Sequence, residues 1–220
     1  MSTLKQFELR PANAEDMDSV YKIRYKSYLR ADLIAPNPSK QFKDIYDASG
    51  SATTFVLSNG QTLIGTIRFV ADSRIGLPMD DEGLGPILAT LRQTGRRILE
   101  AGRLAILPGY QNMSRELSMH LCLYALSYAL LTDYDDIVLM VSKHHHKFYE
   151  KVFMFETIAT DQNTCYCSAT YCLRLNLKRL MQRYARNRTA RRFGLSDHIR
   201  VYQARQLRER LNAGLPLCNR

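Results

Sequence analysis

No stretch of the 220-residue sequence is apolar and uncharged for long enough to span a bilayer, and the opening MSTLKQFELR lacks the apolar core of a signal peptide. Both absences predict a cytoplasmic protein. There is no internal repeat. The five cysteines are odd in number, and Cys165, Cys167 and Cys172 crowd one late segment in a spacing that matches neither a disulfide framework nor a zinc knuckle. Reduced, partly buried thiols are the expectation. Acids are in short supply: 21 Asp and Glu stand against 31 Lys and Arg, for a net charge of +10 and a pI near 9.5. Such a balance suits an acidic partner, whether nucleic acid, anionic lipid or an acidic carrier protein. No helix-turn-helix, zinc or RNA-recognition signature is present, so no nucleic acid is expected. What is there is enough apolar material, 45% of residues, to build one core.

The chain is organised around Arg97 to Thr132. From Ile98 to Leu107 apolar residues fall on both faces, as in a central strand buried on two sides, yet Glu100 and Arg103 sit within it. After Pro108 and Gly109, Leu117, Leu121, Tyr124, Ala125, Tyr128 and Leu131 recur at helical spacing. A buried strand that turns tightly into a helix N-terminus presents free N–H groups to anionic or carbonyl oxygens, which suggests a group-transfer site.

Before this stretch, Phe7 to Arg10 reads as a strand. Asn13 offers an N-cap to a helix through Val20, Ile23 and Tyr28, with Arg24 and Tyr28 on one face. Ala31 to Ser51 reads as a long loop holding Asp44 and Asp47. Ser58, Asn59 and Gly60 mark a hairpin whose second strand carries Arg68, either turned inward to a carboxylate or solvated on a sheet edge. Asp72 to Gly95, rich in Gly, Pro and acids, reads as a mobile surface excursion. After the helix come a buried strand at Asp136 to Ser142, a short helix from Lys143 to Val152, and strands at Phe155 to Ala159 and Tyr166 to Leu175. His144, His145 and His146 tempt a metal reading, but adjacent helical residues diverge, so a capping or substrate-lining role fits better. From Asn176 onward two basic amphipathic helices are expected, broken near Gly194 with Ser196 as a cap; Arg183, Arg186, Arg188, Arg191 and Arg192 make an anion-binding face credible, and anionic membrane contact with it.

This order resembles the GNAT acyltransferase fold, and the run from His145 to Lys151, with Phe148, Tyr149 and Glu150, is similar to that fold's late helix. More narrowly the chain resembles the acyl-homoserine-lactone synthases and the FeeM-type N-acyl amino acid synthases, through Arg24 with Tyr28, Asp44 with Asp47, Arg68 after Gly65, and Glu100 with Arg103. The resemblance implies an α+β, GNAT-like fold: a mixed central β-sheet flanked by helices, an acyltransferase domain at 1–175, and a basic helical extension at 176–220 packed on or beside it. It implies transfer of a fatty acyl group from acyl carrier protein to an amine, with no cofactor beyond the donor's acyl-phosphopantetheine. The turn from Pro108 to Arg115 has a single early glycine where CoA-dependent GNAT enzymes are glycine-rich, which fits a carrier-protein donor. Phe153 and Met154 stand where the fold usually has Gly-Phe. Lactone synthases usually carry a tryptophan in the early loop, and this chain has none, which ranks a small amino acid acceptor above S-adenosylmethionine.

The site that follows from the resemblance has Glu100 as base, tuned by Arg103; Arg24, Tyr28, Asp44, Asp47, Arg68, Ser142 and His145 around the acceptor; and the backbone of Ala105, Ile106 and Leu107 for the oxyanion and the pantetheine. The competing readings are a structural Glu100–Arg103 pair, a lactone synthase, and a non-enzymatic GNAT-like scaffold binding nucleic acid or anionic membrane through its tail.

Overall fold

The computed structural model describes residues 7–132, 134–161 and 170–184. Seven strands, β1 (Phe7–Pro11), β2 (Ala52–Asn59), β3 (Thr62–Ala71), β4 (Ile98–Ile106), β5 (Asp136–Ser142), β6 (Glu156–Asp161) and β7 (Thr170–Asn176), form one sheet in the order β1-β2-β3-β4-β5-β7-β6. Every neighbour is antiparallel except β4 with β5. The helices are α1 (Met17–Arg30), α2 (Gly85–Gln93), α3 (Ser114–Leu131), the single turn α4 (His146–Phe148) and α5 (Leu177–Arg183). The sheet is mixed and flanked by helices, as the α+β expectation has it. β3 lies inside the sheet, which removes the edge-strand option for Arg68.

The alternation of β3 and β4 assigns the layers. Phe55, Ile67, Phe69 and Leu99 face α3, packing on Leu117, Leu121 and Ala125. Val70 and Ile98 face the other way, onto Leu77, Met79 and Leu88. Each such fully buried side chain contributes about 1.5–3 kcal/mol of transfer free energy. The second cluster overturns one expectation: Asp72 to Gly95 is no mobile excursion but the second layer. Its polar residues are used internally, since Arg92 makes paired bonds to both Asp72 and Asp80 at 2.7–2.9 Å.

Asn13 is not the N-cap of α1 either. Asp16 holds that position, and the two close a reciprocal box one turn earlier, Asp16 N to Asn13 Oδ1 at 3.0 Å and Asn13 N to Asp16 Oδ2 at 2.7 Å. Of the expected helix from Lys143 to Val152, only α4 is α-helical, followed by a π-wound turn over Tyr149–Phe153. A π turn inserts one residue, so the left-handed cap falls on Met154 (φ 62) and the buried aromatic on Phe155, one place later than the Gly-Phe comparison implies.

Two features of β4 shape the site. Its pairing with β5 covers only Ile98 to Glu100 against Asp136 to Val138, and beyond that the strands part. Between Arg68↔Gly102 and Thr66↔Ala105 the ladder shifts, leaving Arg103 and Leu104 opposite Ile67 alone. That bulge puts Arg103 at φ 56, a left-handed conformation costing a non-glycine residue on the order of 1 kcal/mol.

The helical extension is described only through α5 and Tyr184, where Leu177, Leu180 and Tyr184 are buried against the main core. The two basic helices, Ser196 and the arginines beyond 184 lie outside the described residues, as do Cys165 and Cys167. Among the described residues Cys122 and Cys172 are free thiols, and no helix is long and apolar enough to cross a membrane.

Candidate active site

Glu100 is buried on β4 and accepts one hydrogen bond, from the Met79 backbone N–H to Oε2 at 2.8 Å. Burial pushes its carboxyl up to about 8, against the Met79 amide and the positive charges of Arg68 and Arg103, which pull it down. Arg103 does not pair with it. Its guanidinium bonds Asp44 Oδ2 at 2.6 and 3.2 Å and lies over the Phe42 ring at 4.4 Å, which removes the structural-pair reading of Glu100 with Arg103.

Asp44 is instead one link in a chain of charges running in from α1. Arg24, fully buried, donates to Asp47 at 2.7 Å and to Thr54 Oγ1 at 3.3 Å. Arg68 reaches Asp47 at 2.8 Å and holds Asp44 with two bonds of 2.6 and 2.9 Å. The two aspartates converge because they cap one 3-10 turn, Ile45–Ala48: the Asp44 side chain accepts from the turn's backbone while Asp47 accepts from the Asp44 N–H at 3.1 Å. Burial would raise the Asp44 carboxyl, but the hydrogen bonds and charges of Arg68 and Arg103 overcome it and hold the group well below the usual carboxylate range. The arrangement is costly: Nε of both Arg24 and Arg68 is buried with no acceptor. Two aspartates thus gather three guanidiniums, of which Arg68 and Arg103 reach the wall of a cavity while Arg24 lies behind it.

That cavity, about 910 Å³, passes through the sheet where β4 and β5 part. On the α1 side its wall carries Tyr28, Arg68, Glu100, Arg103, Ser142 and His145; on the α3 side it becomes an apolar arm among Ala125, Leu126, Leu139, Phe153 and Phe155. Tyr28 packs against Phe42 with the rings tilted, centroids 4.9 Å apart. Ser142 Oγ and His145 Nδ1 are 3.0 Å apart at the end of β5. Of the three histidines, His144 and His145 line the cavity, whereas His146 stacks on Tyr171 at 4.0 Å and bonds the Lys143 carbonyl. Among the described residues no group of His, Cys, Asp and Glu could hold a metal ion.

Of the three backbone amides expected to face the gap, Leu107 does not: its N–H donates to Ile64 O at 2.7 Å. Alternate residues of an antiparallel strand bond to the same neighbour, so Ala105, in register with Thr66, also turns toward β3. The Ile106 N–H is left pointing into the split, and the correction follows from the strand period of two.

Sequence reasoning missed two elements of the site. One is the Met79 amide, a backbone donor with no side-chain signature. The other is the Tyr149 phenol, which hydrogen-bonds the Cys122 thiol inside the cavity; burial raises both groups, the thiol to about 12 and the phenol well above its ordinary value, so both stay protonated.

The family model for N-acyl amino acid synthase FeeM matches residues 19–176. Among solved structures, the chain is similar to FeeM, an N-acyl amino acid synthase from uncultured soil microbes, at 24% identity and a TM-score of 0.70, over 84% of this chain and 97% of that one. It is also similar to the AHL synthase LasI, at 14% identity and 0.58 over 78% and 90%, and to a spermidine N-acetyltransferase SpeG chimera from Vibrio cholerae and hSSAT, at 14% and 0.54 over 81% and 100%. No curated protein matches the chain. A GNAT-like fold, a split between β4 and β5 that opens into one cavity, and a family match spanning well over half its length together establish that the chain belongs to the N-acyl amino acid synthase FeeM family, and with it to the N-acyltransferases.

Proposed function

We propose that the protein transfers a fatty acyl group from the phosphopantetheine arm of acyl carrier protein to the α-amine of an amino acid. The observation that carries this reading is the single cavity joining a buried carboxylate on one face of the sheet to an apolar arm on the other. An amine enters from the α1 side, and a thioester lies along the split with its hydrocarbon chain under α3.

An α-amino group ionises near 8, so most of it is ammonium at neutral pH. Glu100, itself pushed to about 8, is matched to take that proton with little free-energy difference. The amine nitrogen then attacks the thioester carbonyl. The oxygen becomes an oxyanion against the Ile106 N–H; as the carbonyl re-forms, the C–S bond breaks and the leaving thiolate takes up the second proton that the nitrogen sheds on becoming an amide, with the Tyr149 phenol in the cavity lining as a relay that ends as it began, protonated. The Asp44–Asp47 turn and its arginines fix the loop over the acceptor, a positioning role. The basic charge of the chain suits an acidic carrier, and the glycine-poor turn at Pro108 to Arg115 offers little for a CoA pyrophosphate. The cytoplasm, where acyl carrier protein is loaded, is the compartment this reading requires.

The test is incubation of the purified protein with acyl carrier protein bearing a labelled acyl group and a pool of amino acids, with acyl-CoA and S-adenosylmethionine in parallel arms. An N-acyl amino acid formed from the carrier-bound donor, and lost in Glu100→Gln, supports the proposal. Consumption of S-adenosylmethionine would make it a lactone synthase; no acylated amine in any arm would overturn the reading.

A further inference from the structure

Tyr46 stands between the charged turn and the base. Its backbone belongs to the Ile45–Ala48 turn, so it lies between Asp44 and Asp47, and its side chain is only 2% exposed. The ring runs across the second core cluster, and its hydroxyl bonds the Leu77 carbonyl at 3.1 Å and Asp81 Oδ2 at 3.0 Å. The segment it grips, Leu77 to Asp81, is closed on itself by Leu77 N to Asp80 Oδ2 at 2.7 Å and tied from the far side by Arg92 on Asp80. Centred in that strap is Met79, fully buried, whose N–H is on Glu100. Tyr46 does not line the cavity, so any effect on the reaction passes through the strap.

We propose that Tyr46 is a positioning residue for acyl transfer: by holding the Leu77–Asp81 strap it keeps the Met79 N–H on the Glu100 carboxylate, and so links the turn that grips Arg24, Arg68 and Arg103 to the base. The inference rests on Glu100 being that base. The arrangement is economical in charge. Arg68 and Arg103 from the sheet and the Met79 amide from the strap favour the ionised carboxylate, while Asp80 from the strap opposes it. Tyr46 from the turn and Cys172 from β7 also face it, but burial pushes each up to about 12, so neither carries charge across the working range. Of these influences only the amide depends on the placement of the strap to within a few tenths of an ångström, because a hydrogen bond weakens steeply with distance and angle.

Tyr46→Phe keeps the ring and removes the tie. Loss of the amide's hold raises the carboxyl, so the acid limb of the kcat/KM profile moves to higher pH by about one unit. The rate at pH 7 falls about tenfold and recovers above about pH 9, with KM for the acyl donor unchanged. Asp81→Ala, which leaves the phenol its Leu77 acceptor, moves the limb the same way by less, the double variant is no worse than Tyr46→Phe alone, and Asp81→Asn, which keeps both acceptors for the phenol, restores the parent profile. A loss equal at every pH, a limb that stays put or moves down, or an unaltered rate would overturn the proposal. Where Tyr46→Phe fails to fold, the Asp81 pair decides. Glu100→Gln separates the two levels: if it retains the parent's activity and acid limb, the base assignment itself is wrong, whatever Tyr46→Phe does.

Discussion

Glu100 and Asp44 lie under the same cavity wall, and their environments push them in opposite directions. A carboxyl raised by burial weakens the fold over the interval where the unfolded chain ionises and the native one does not. For Glu100 that interval runs from about 4.5 to about 8, with nothing lost below it and the full cost present above. Asp44 has the other sign, contributing stability above its ordinary value and losing it as pH falls through its depressed one. Glu100→Gln should therefore raise the melting temperature by several degrees at pH 8 and hardly at all at pH 4, measured by calorimetry, while lowering kcat by about 10²–10⁴. Asp47→Ala leaves Arg24 buried without its carboxylate, and breaking such a pair costs about 3–5 kcal/mol; a thermal melt should show a drop on the order of 10 °C.

At the level of elements, the hairpin and the central strand were legible because a Gly or Pro break marks their ends, α3 because its apolar residues recur at helical spacing, and β5 because it is a short continuous apolar run. What was not legible shares a physical cause: it depends on contacts across the chain. The stretch from Asp72 to Gly95 has the acids and glycines of a surface loop, and nothing local reveals that Arg92 neutralises two of those acids while Leu77, Met79 and Leu88 go inside. The bulge at Arg103 and Leu104 is likewise set by how β3 and β4 pair. For the site, the residue types were readable, but Arg103 found Asp44 rather than Glu100, because a bulge re-aims a side chain in a way strand alternation does not foresee. Gly65 shows how closely these elements fit. A Cβ there would lie 2.8 Å from Ile106 Cδ1 and 3.1 Å from Leu121 Cδ1. Gly65→Val should cost about 1–3 kcal/mol in denaturant unfolding and, by displacing Ile106 at the split, lower kcat more than it raises the donor's KM.

Over the whole molecule, one cavity ties the polar chemistry of the α1 side to the apolar arm under α3. The pH dependence belongs to this scale, since the base titrates in a cavity built from both layers: kcat/KM for amine acylation should climb with pH up to a break near 8. Chain-length preference belongs here too. Ala125, buried on α3 along the arm, occupies the space a longer side chain would take from the acyl group. Ala125→Leu should lower kcat/KM for long-chain donors about tenfold relative to short ones in a competition between carriers of different acyl length; equal losses for both would show that the chain runs elsewhere.

The brief seam between β4 and β5 has a mechanical corollary. Three residue pairs, braced beside them by Arg96 and Arg174 clasping Asp136, join a four-stranded half of the sheet to a three-stranded one. The two ends of the opening are therefore unequally anchored: Glu100 sits on the last rung that β4 and β5 share, whereas Ile106 and Ser142 face each other across strands that no longer meet, so the same short ladder that clamps one end of the cavity leaves the other its width.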